Sequence, residues 1–189
     1  MRRVLWMMSV SLDGFMSDVD GGLDWQTIDH ELHQFFNDDL RTMGAFLDGR
    51  VTYELMTEYW PTADQDPEAP PPVREFAEIW RTMPKIVFSR TLTHAEWNTT
   101  IVRDIDPAAI AQLQADTDGD LMVGGGELGA SFMRLDLIDE LRIYVHPVVL
   151  GRGRPAFHPL DAPMPLRLVE NRRFGSGVVL LRYERSSPR

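Results

Sequence analysis

Short apolar runs alternate with stretches of helical period along nearly the whole chain, and this constrains the fold more than any other feature. Val4 to Val10 reads as a strand buried on both faces, as in the middle of a mostly parallel sheet. Ser11-Leu12-Asp13-Gly14 ends it in a turn, and Asp20-Gly21-Gly22 is loop chemistry. Leu32, Phe35, Phe36, Leu40 and Met43 then fall at helical spacing behind Asp29, a residue type suited to an N-cap. Ala45 to Leu47 predicts a short strand, after which Gly49-Arg50-Val51-Thr52 leads into a second helix. Residues 61–72, which hold Pro61, Pro67, Pro70, Pro71 and Pro72, predict a loop, followed by a helix over 73–82. Strands are expected over 85–89 and 100–103, then a helix with Pro107 in its first turn. Leu121-Met122-Val123 is a strand feeding three glycines, and the helix beyond carries Leu128, Phe132 and Leu135. A strand over 141–145 comes next. The runs 166–174 and 178–183, joined by Gly175-Ser176-Gly177, close the chain as a hairpin. The order indicates an α/β fold with a mostly parallel sheet and an antiparallel edge. The proline-rich stretch lies inside the alternation and no repeat is visible, so residues 1–189 read as a single domain.

Composition excludes several classes. A net charge of −10 argues against a nucleic-acid partner, whose phosphates call for cationic surface. No apolar run approaches the roughly 20 residues of a membrane span. Arg2 and Arg3 precede the first apolar run, but no small-residue cleavage site follows, so a strand is the better reading than a signal peptide. The absence of cysteine removes disulfides, thiolate nucleophiles and cysteine-held metals, which suits a cytoplasmic protein. Lys85 is the one lysine and the sole candidate for Schiff-base chemistry.

The strongest chemical signal is Val123-Gly124-Gly125-Gly126-Glu127-Leu128-Gly129, a strand running into a glycine cluster that opens a helix. Glycine admits close approach of a ligand to backbone, and the free N–H groups at a helix start favour an anion such as a pyrophosphate. Gly124, Gly126 and Gly129 satisfy G-x-G-x-x-G. A Rossmann site also needs an acid about 20 residues on, and Tyr144-Val145-His146-Pro147 offers none. The phosphate-binding part of the reading stands beside a plain tight turn, and the Rossmann label does not. Gly49-Arg50-Val51-Thr52 also joins strand to helix, with a guanidinium and a hydroxyl. Ser89-Arg90 closes a strand at the edge where open α/β sheets bind ligands, and suits the 2′-phosphate of NADP.

With these segments in hand, the chain resembles the dihydrofolate reductase-like superfamily. It is most similar there to the reductase domain of the bifunctional riboflavin-biosynthesis deaminase–reductase, in stand-alone form. The resemblance rests on an ordered series: Ser9 to Met16, Gly49 to Glu54, Ile86 to Arg90, Val123 to Gly126, Leu137 to Leu141 and Pro147 to Pro155. It implies a three-layer fold around a central sheet of about eight strands, with NADPH across the carboxyl edge, and a homodimer. It further implies that Gly49, Arg50, Thr52, Ser89, Arg90 and Gly124 to Gly126, with the backbone of Glu127 and Leu128, hold the cofactor. No deaminase domain or zinc-ligand set is read in these residues, so the role in riboflavin biosynthesis that the resemblance implies would be reduction only.

On the substrate side, Asp13 ends the first strand and could bond an amino-heterocycle or relay a proton, or simply form the turn. Glu31, with Phe35 four residues on, matches the acid and aromatic that bind the substrate ring in dihydrofolate reductases, at the cost of a two-residue insertion. Trp25 could shape the pocket or cover the core, and Arg152 and Arg154 are the candidates for a ribosyl-phosphate. His30 and His33 share a helix face without a third ligand, so no metal is expected. No Gly-x-Ser-x-Gly elbow exists. Asp139 and Glu140 read as a strand cap or as solvated acids. The expected function is an NADPH-dependent reductase acting on a small planar heterocycle, pterin-like or a ribosylamino-pyrimidine. The alternative is a non-catalytic dimeric NADP-binding module of the same fold.

Overall fold

The computed structural model describes residues 2–186. Its elements run β1 (Val4–Ser11), β2 (Phe15–Ser17), α1 (His30–Leu40), β3 (Met43–Gly49), α2 (Arg50–Tyr59), a 3₁₀ helix (Trp60–Gln65) and α3 (Pro71–Thr82). There follow β4 (Lys85–Phe88), β5 (Thr99–Val102), α4 (Pro107–Asp116), β6 (Asp120–Val123), α5 (Gly126–Arg134), β7 (Glu140–His146), β8 (Arg154–Pro155), β9 (Leu166–Arg173) and β10 (Val179–Arg185). Eight strands form one sheet in the order β5-β4-β3-β6-β1-β7-β10-β9, and β2 pairs separately with β8. β3, β4 and β5 pair in parallel, as do β1 and β7, while β10 is antiparallel to both β7 and β9. The fold is thus the α/β sheet with an antiparallel carboxyl-terminal edge that the alternation indicates. No helix among the described residues is long and apolar enough to cross a membrane.

The chain packs as two compact units, one of Arg2 and His30–Met122, the other of Arg3–Asp29 and residues 123–186. In the first unit the proline-rich stretch corrects the expected loop. Trp60–Gln65 is a 3₁₀ helix, and α3 begins at Pro71, with prolines in its first turn. Proline costs nothing at that position, because the N–H it lacks has no helical partner there. Arg81 secures the segment with Nη1 and Nη2 on the two carboxylate oxygens of Asp64 at 2.9 and 2.7 Å, and Arg74 donates to the Ala69 carbonyl at 2.9 Å. Met43 leaves the helical stripe and opens β3, since α1 stops at Leu40.

Lys85 is 1% exposed and its Nζ donates to the carbonyls of Trp80 and Met83, at the end of α3. It satisfies helix-end acceptors that would otherwise be buried and unpaired. The only lysine is therefore built into the frame, and the Schiff-base reading has no support in its surroundings.

In the second unit Trp6 of β1 is fully buried, and its indole Nε1 donates to the Gly125 carbonyl at 3.1 Å. α5 lies so close that a Cβ on Gly129 would sit 2.2 Å from that nitrogen. Leu135 lies beyond the end of α5 and is 43% exposed, not on a core stripe. Glu140 also departs from expectation, being neither cap nor solvated. It is 0% exposed and accepts from Arg3 Nη1 at 2.5 Å and from the Nε atoms of Arg142 and Arg182 at 2.6 Å each. Burial alone would raise its pKa, and the three arginines outweigh that and hold the carboxyl below its usual value. Asp139 ties a different strand from the one it precedes: its Oδ2 accepts from the N–H of Val4, at the start of β1, at 2.8 Å.

Candidate functional site

β3 runs directly into α2, and Gly49 is the N-cap, with no side chain bonded to the first helical N–H groups. A Cβ added to Gly49 would meet nothing within 4 Å, so the space before this helix start is open. Arg50 and Thr52 stand in the first turn. The Arg50 guanidinium pairs with Glu54 one turn on, Nη1 to Oε2 2.6 Å, and the pair is partly exposed. Open space, free backbone donors and a guanidinium suit a phosphate.

β4 ends at Phe88, and Ser89 begins a turn. Ser89 is 7% exposed, and its Oγ accepts from the Leu92 N–H at 2.9 Å, so its hydroxyl mainly shapes the turn. Arg103 donates from Nη1 to the carbonyls of Ser89 and Leu92, 2.7 Å each. Arg90 projects from this fastened turn, its side chain 80% exposed, with Asp104 as partner.

In the second unit Gly125 is the N-cap of α5 at φ 81°, ψ 149°, again with no side-chain cap. The positive φ calls for glycine. Gly126 is demanded by packing, since a Cβ there would lie 2.8 Å from Met16 Sδ and 3.2 Å from the Ala156 carbonyl. The three glycines that match G-x-G-x-x-G thus include two, Gly126 and Gly129, explained by close packing, while Gly125 starts the helix without a side-chain cap. Glu127 points to solvent and Leu128 is buried.

The carboxyl ends of β1 and β7 carry a further cluster in the same unit. Register puts Met7 beside Arg142, Ser9 beside Tyr144 and Ser11 beside His146, all on one face. Met7, Met8 and Ser9 are half-exposed, which corrects the reading of β1 as buried throughout. Asp13 is fully engaged: it accepts from Ser11 Oγ at 2.7 Å, Leu150 N at 3.1 Å and Gly151 N at 2.7 Å. The Ser11 bond foremost, with the two amides, holds its pKa below the ordinary value. A carboxylate kept ionised in this way fixes the 147–151 loop and is poorly suited to donate a proton.

His146 is 0% exposed, its Nδ1 accepts from the Thr27 N–H at 3.1 Å, and the Trp25 ring packs edge-on to it with centroids 5.4 Å apart. Burial pushes its pKa down to about 4, so it is neutral at physiological pH. With Nδ1 accepting, the proton sits on Nε2, and that atom is buried with no partner among the described residues.

The remaining expected residues are divided between the two units. Glu31 is exposed on α1 in the first unit, with Phe35 half-buried one turn on. Arg152 and Arg154 are exposed in the second, Arg154 on β8, where its guanidinium lies 3.6 Å from the position of a Cβ on Gly21. His33 packs against Trp60 and Phe76, and no group of three or more His, Asp or Glu among the described residues is placed to hold a metal. Sequence reading missed His146 and Asp104. His146 carried a signal, as a histidine at the end of an apolar strand, whereas the partnership of Asp104 with Arg90 depends on two strands being neighbours.

Comparison with known proteins shows the family and the fold. Residues 2–180 match the model of the RibD C-terminal domain. The chain is 32% identical over 183 residues to the uncharacterized protein YyaP of Bacillus subtilis (strain 168), covering 96% of this chain and 94% of that one. A crystal structure of a putative riboflavin biosynthesis protein from Shewanella sp. PV-4 superposes with a TM-score of 0.76 at 23% identity, covering 98% of this chain and 99% of that one. Dihydrofolate reductase from Enterococcus faecalis, solved with NADP(H), has the same fold, with a TM-score of 0.65 at 16% identity and coverage of 98% and 97%.

Proposed function

Because this chain belongs to the RibD C-terminal domain family, we propose that it is an NADPH-dependent reductase that passes hydride to a small planar heterocycle, pterin-like or a ribosylamino-pyrimidine. The observation that carries the proposal is a repeated one. Two helices, α2 and α5, each follow a strand closely through a glycine N-cap and leave their first N–H groups without a side-chain cap. Such starts take anions, and a dinucleotide brings several phosphates.

In this reading Arg50, Thr52 and Arg90 bind phosphate in the first unit, on backbone shaped by Gly49 and Ser89. In the second, Gly124, Gly125 and Gly126, with the amides of Glu127 and Leu128, bind it at the start of α5. The bound dinucleotide supplies the hydride, and the protein supplies position and exclusion of water. Met7, Ser9 and Trp25 form apolar and weakly polar surface for a flat ring, and the neutral His146 offers an Nε2–H donor behind Trp25. Asp13 holds the 147–151 loop in place. Glu31 and Phe35 are the second candidate pair for the ring, and Arg152 and Arg154 would meet an anionic substituent. The same reading makes the protein a cytoplasmic homodimer.

Tryptophan fluorescence titrated with NADPH tests the first half of the proposal. Saturable quenching is expected, and its absence in protein shown to be folded would overturn the reading. Loss of NADPH absorbance with a panel of pterins and ribosylamino-pyrimidines tests the second. Binding without turnover on any of them favours the non-catalytic module.

A further inference from the structure

We infer that Arg90 and Asp104 form one two-sided selector for the 2′ position of the cofactor's adenosine ribose, so that NADH is accepted alongside NADPH. This rests on the dinucleotide reading above and refines it.

Arg90 follows β4 and Asp104 follows β5, which are parallel neighbours with Phe88 opposite Val102. The backbone beneath Arg90 is held on several sides. Ser89 N donates to the Val102 carbonyl at 2.9 Å, Ser89 Oγ takes the Leu92 N–H, and Arg103 grips the carbonyls of Ser89 and Leu92. On this platform Arg90 Nε and Nη2 both donate to a single oxygen of Asp104, Oδ1, at 3.1 and 2.5 Å. Arg90 Nη1 and Asp104 Oδ2 make no hydrogen bond among the described residues. Both side chains face solvent, 80% and 66% exposed. The pair therefore presents a donor edge and an acceptor oxygen side by side.

The two nucleotides meet these edges differently. A 2′-phosphate takes the remaining guanidinium edge through charge-assisted bonds, but brings its negative charge up to the Asp104 carboxylate. A 2′-hydroxyl gains less from Arg90, yet can donate to the free carboxylate oxygen, as ribose hydroxyls do to the acid of NAD sites. Asp104 thus helps NADH and hinders NADPH, while Arg90 helps NADPH and matters little to NADH. Specificity is the difference of the two affinities, and here the difference is small. Exposed ion pairs add little to stability, so substitutions at either position leave the fold intact.

The test compares dissociation constants for NADPH and NADH, by tryptophan quenching, in wild type, Asp104→Asn and Arg90→Gln, with circular dichroism confirming that all three are folded. Wild type is expected to separate the two nucleotides by about tenfold or less. Asp104→Asn should weaken NADH by roughly fivefold while leaving NADPH unchanged or tighter. Arg90→Gln should weaken NADPH by about tenfold or more and leave NADH unchanged, in line with the strength of bonds to charged groups. If Asp104→Asn leaves the ratio of the two constants unchanged, the selector is wrong. If wild type prefers NADPH by more than about a hundredfold, roughly 2.7 kcal/mol, the selector is equally wrong while the dinucleotide reading survives. If neither nucleotide binds wild type, that reading fails and the selector falls with it.

Discussion

Asp48 and His146 are buried titratable side chains that pull stability in opposite directions with pH. Asp48 is 4% exposed, and burial raises its pKa to about 7 against the opposing pull of Lys85. Its folded form holds a proton that the unfolded chain has released, so its contribution is complete below about pH 4 and is lost as pH rises to 7. His146 has the opposite sign. Its folded pKa is about 4 against 6.5 unfolded, so its contribution is complete above 6.5 and is lost as pH falls toward 4. The two slopes offset each other across the same window. Asp48→Asn should therefore reveal a stability that climbs with pH between about 4 and 6.5, and His146→Gln one that falls with pH between about 4 and 7. Urea midpoints measured at half-unit pH steps check both, and unchanged slopes would refute the assignment. Gly129→Ala makes a steric prediction at the same scale. The new Cβ would lie 2.2 Å from a fully buried indole, and a loss of about 1–3 kcal/mol in urea unfolding is expected.

At the scale of elements, ion pairs decide where strands are tied. Glu140 joins the start of β7 to Arg182 of β10 and to Arg3, just ahead of β1. Glu140→Gln leaves buried guanidinium charge without its counter-charge, and should cost about 3–5 kcal/mol by urea unfolding. None of this is legible in Leu137 to Leu141 read alone, because two of the three arginines lie far off in sequence. The 147–151 loop hangs on Asp13. Asp13→Ala should speed amide hydrogen exchange at Leu150 and Gly151 selectively, and unchanged exchange there would return Asp13 to direct chemistry as its main role. The helices were legible where one periodic face met recognisable ends, as at Pro107 of α4, where Asp106 caps the Ala108 N–H at 3.0 Å. They depart from expectation in the proline-rich stretch 61–72, which holds a 3₁₀ helix and the start of α3. α3 starts at Pro71 because the first turn tolerates it, and Arg74 and Arg81 fasten the segment before it.

For the whole molecule, ligand linkage offers the broadest check. A cofactor that binds only the folded chain, present at about 100 times its dissociation constant, adds roughly 2.7 kcal/mol. For a chain of this length that corresponds to a rise of about 5–10 °C in the thermal midpoint. A midpoint unmoved by NADPH at such concentrations would count against the proposed function. The sequence by itself determined the α/β class, the antiparallel close and the three glycine or arginine segments at strand ends, because each of these is written in local period or turn chemistry. Only the tertiary structure decided that Asp13 holds a loop, that Glu140 is buried among arginines, that Lys85 closes α3 and that Asp104 shares Arg90. It also decided the small β2–β8 pair. Lys85 apart, whose acceptors lie two and five residues before it, the physical reason is common: a partner is chosen by which segments the fold makes neighbours, and these join residues that no local pattern connects.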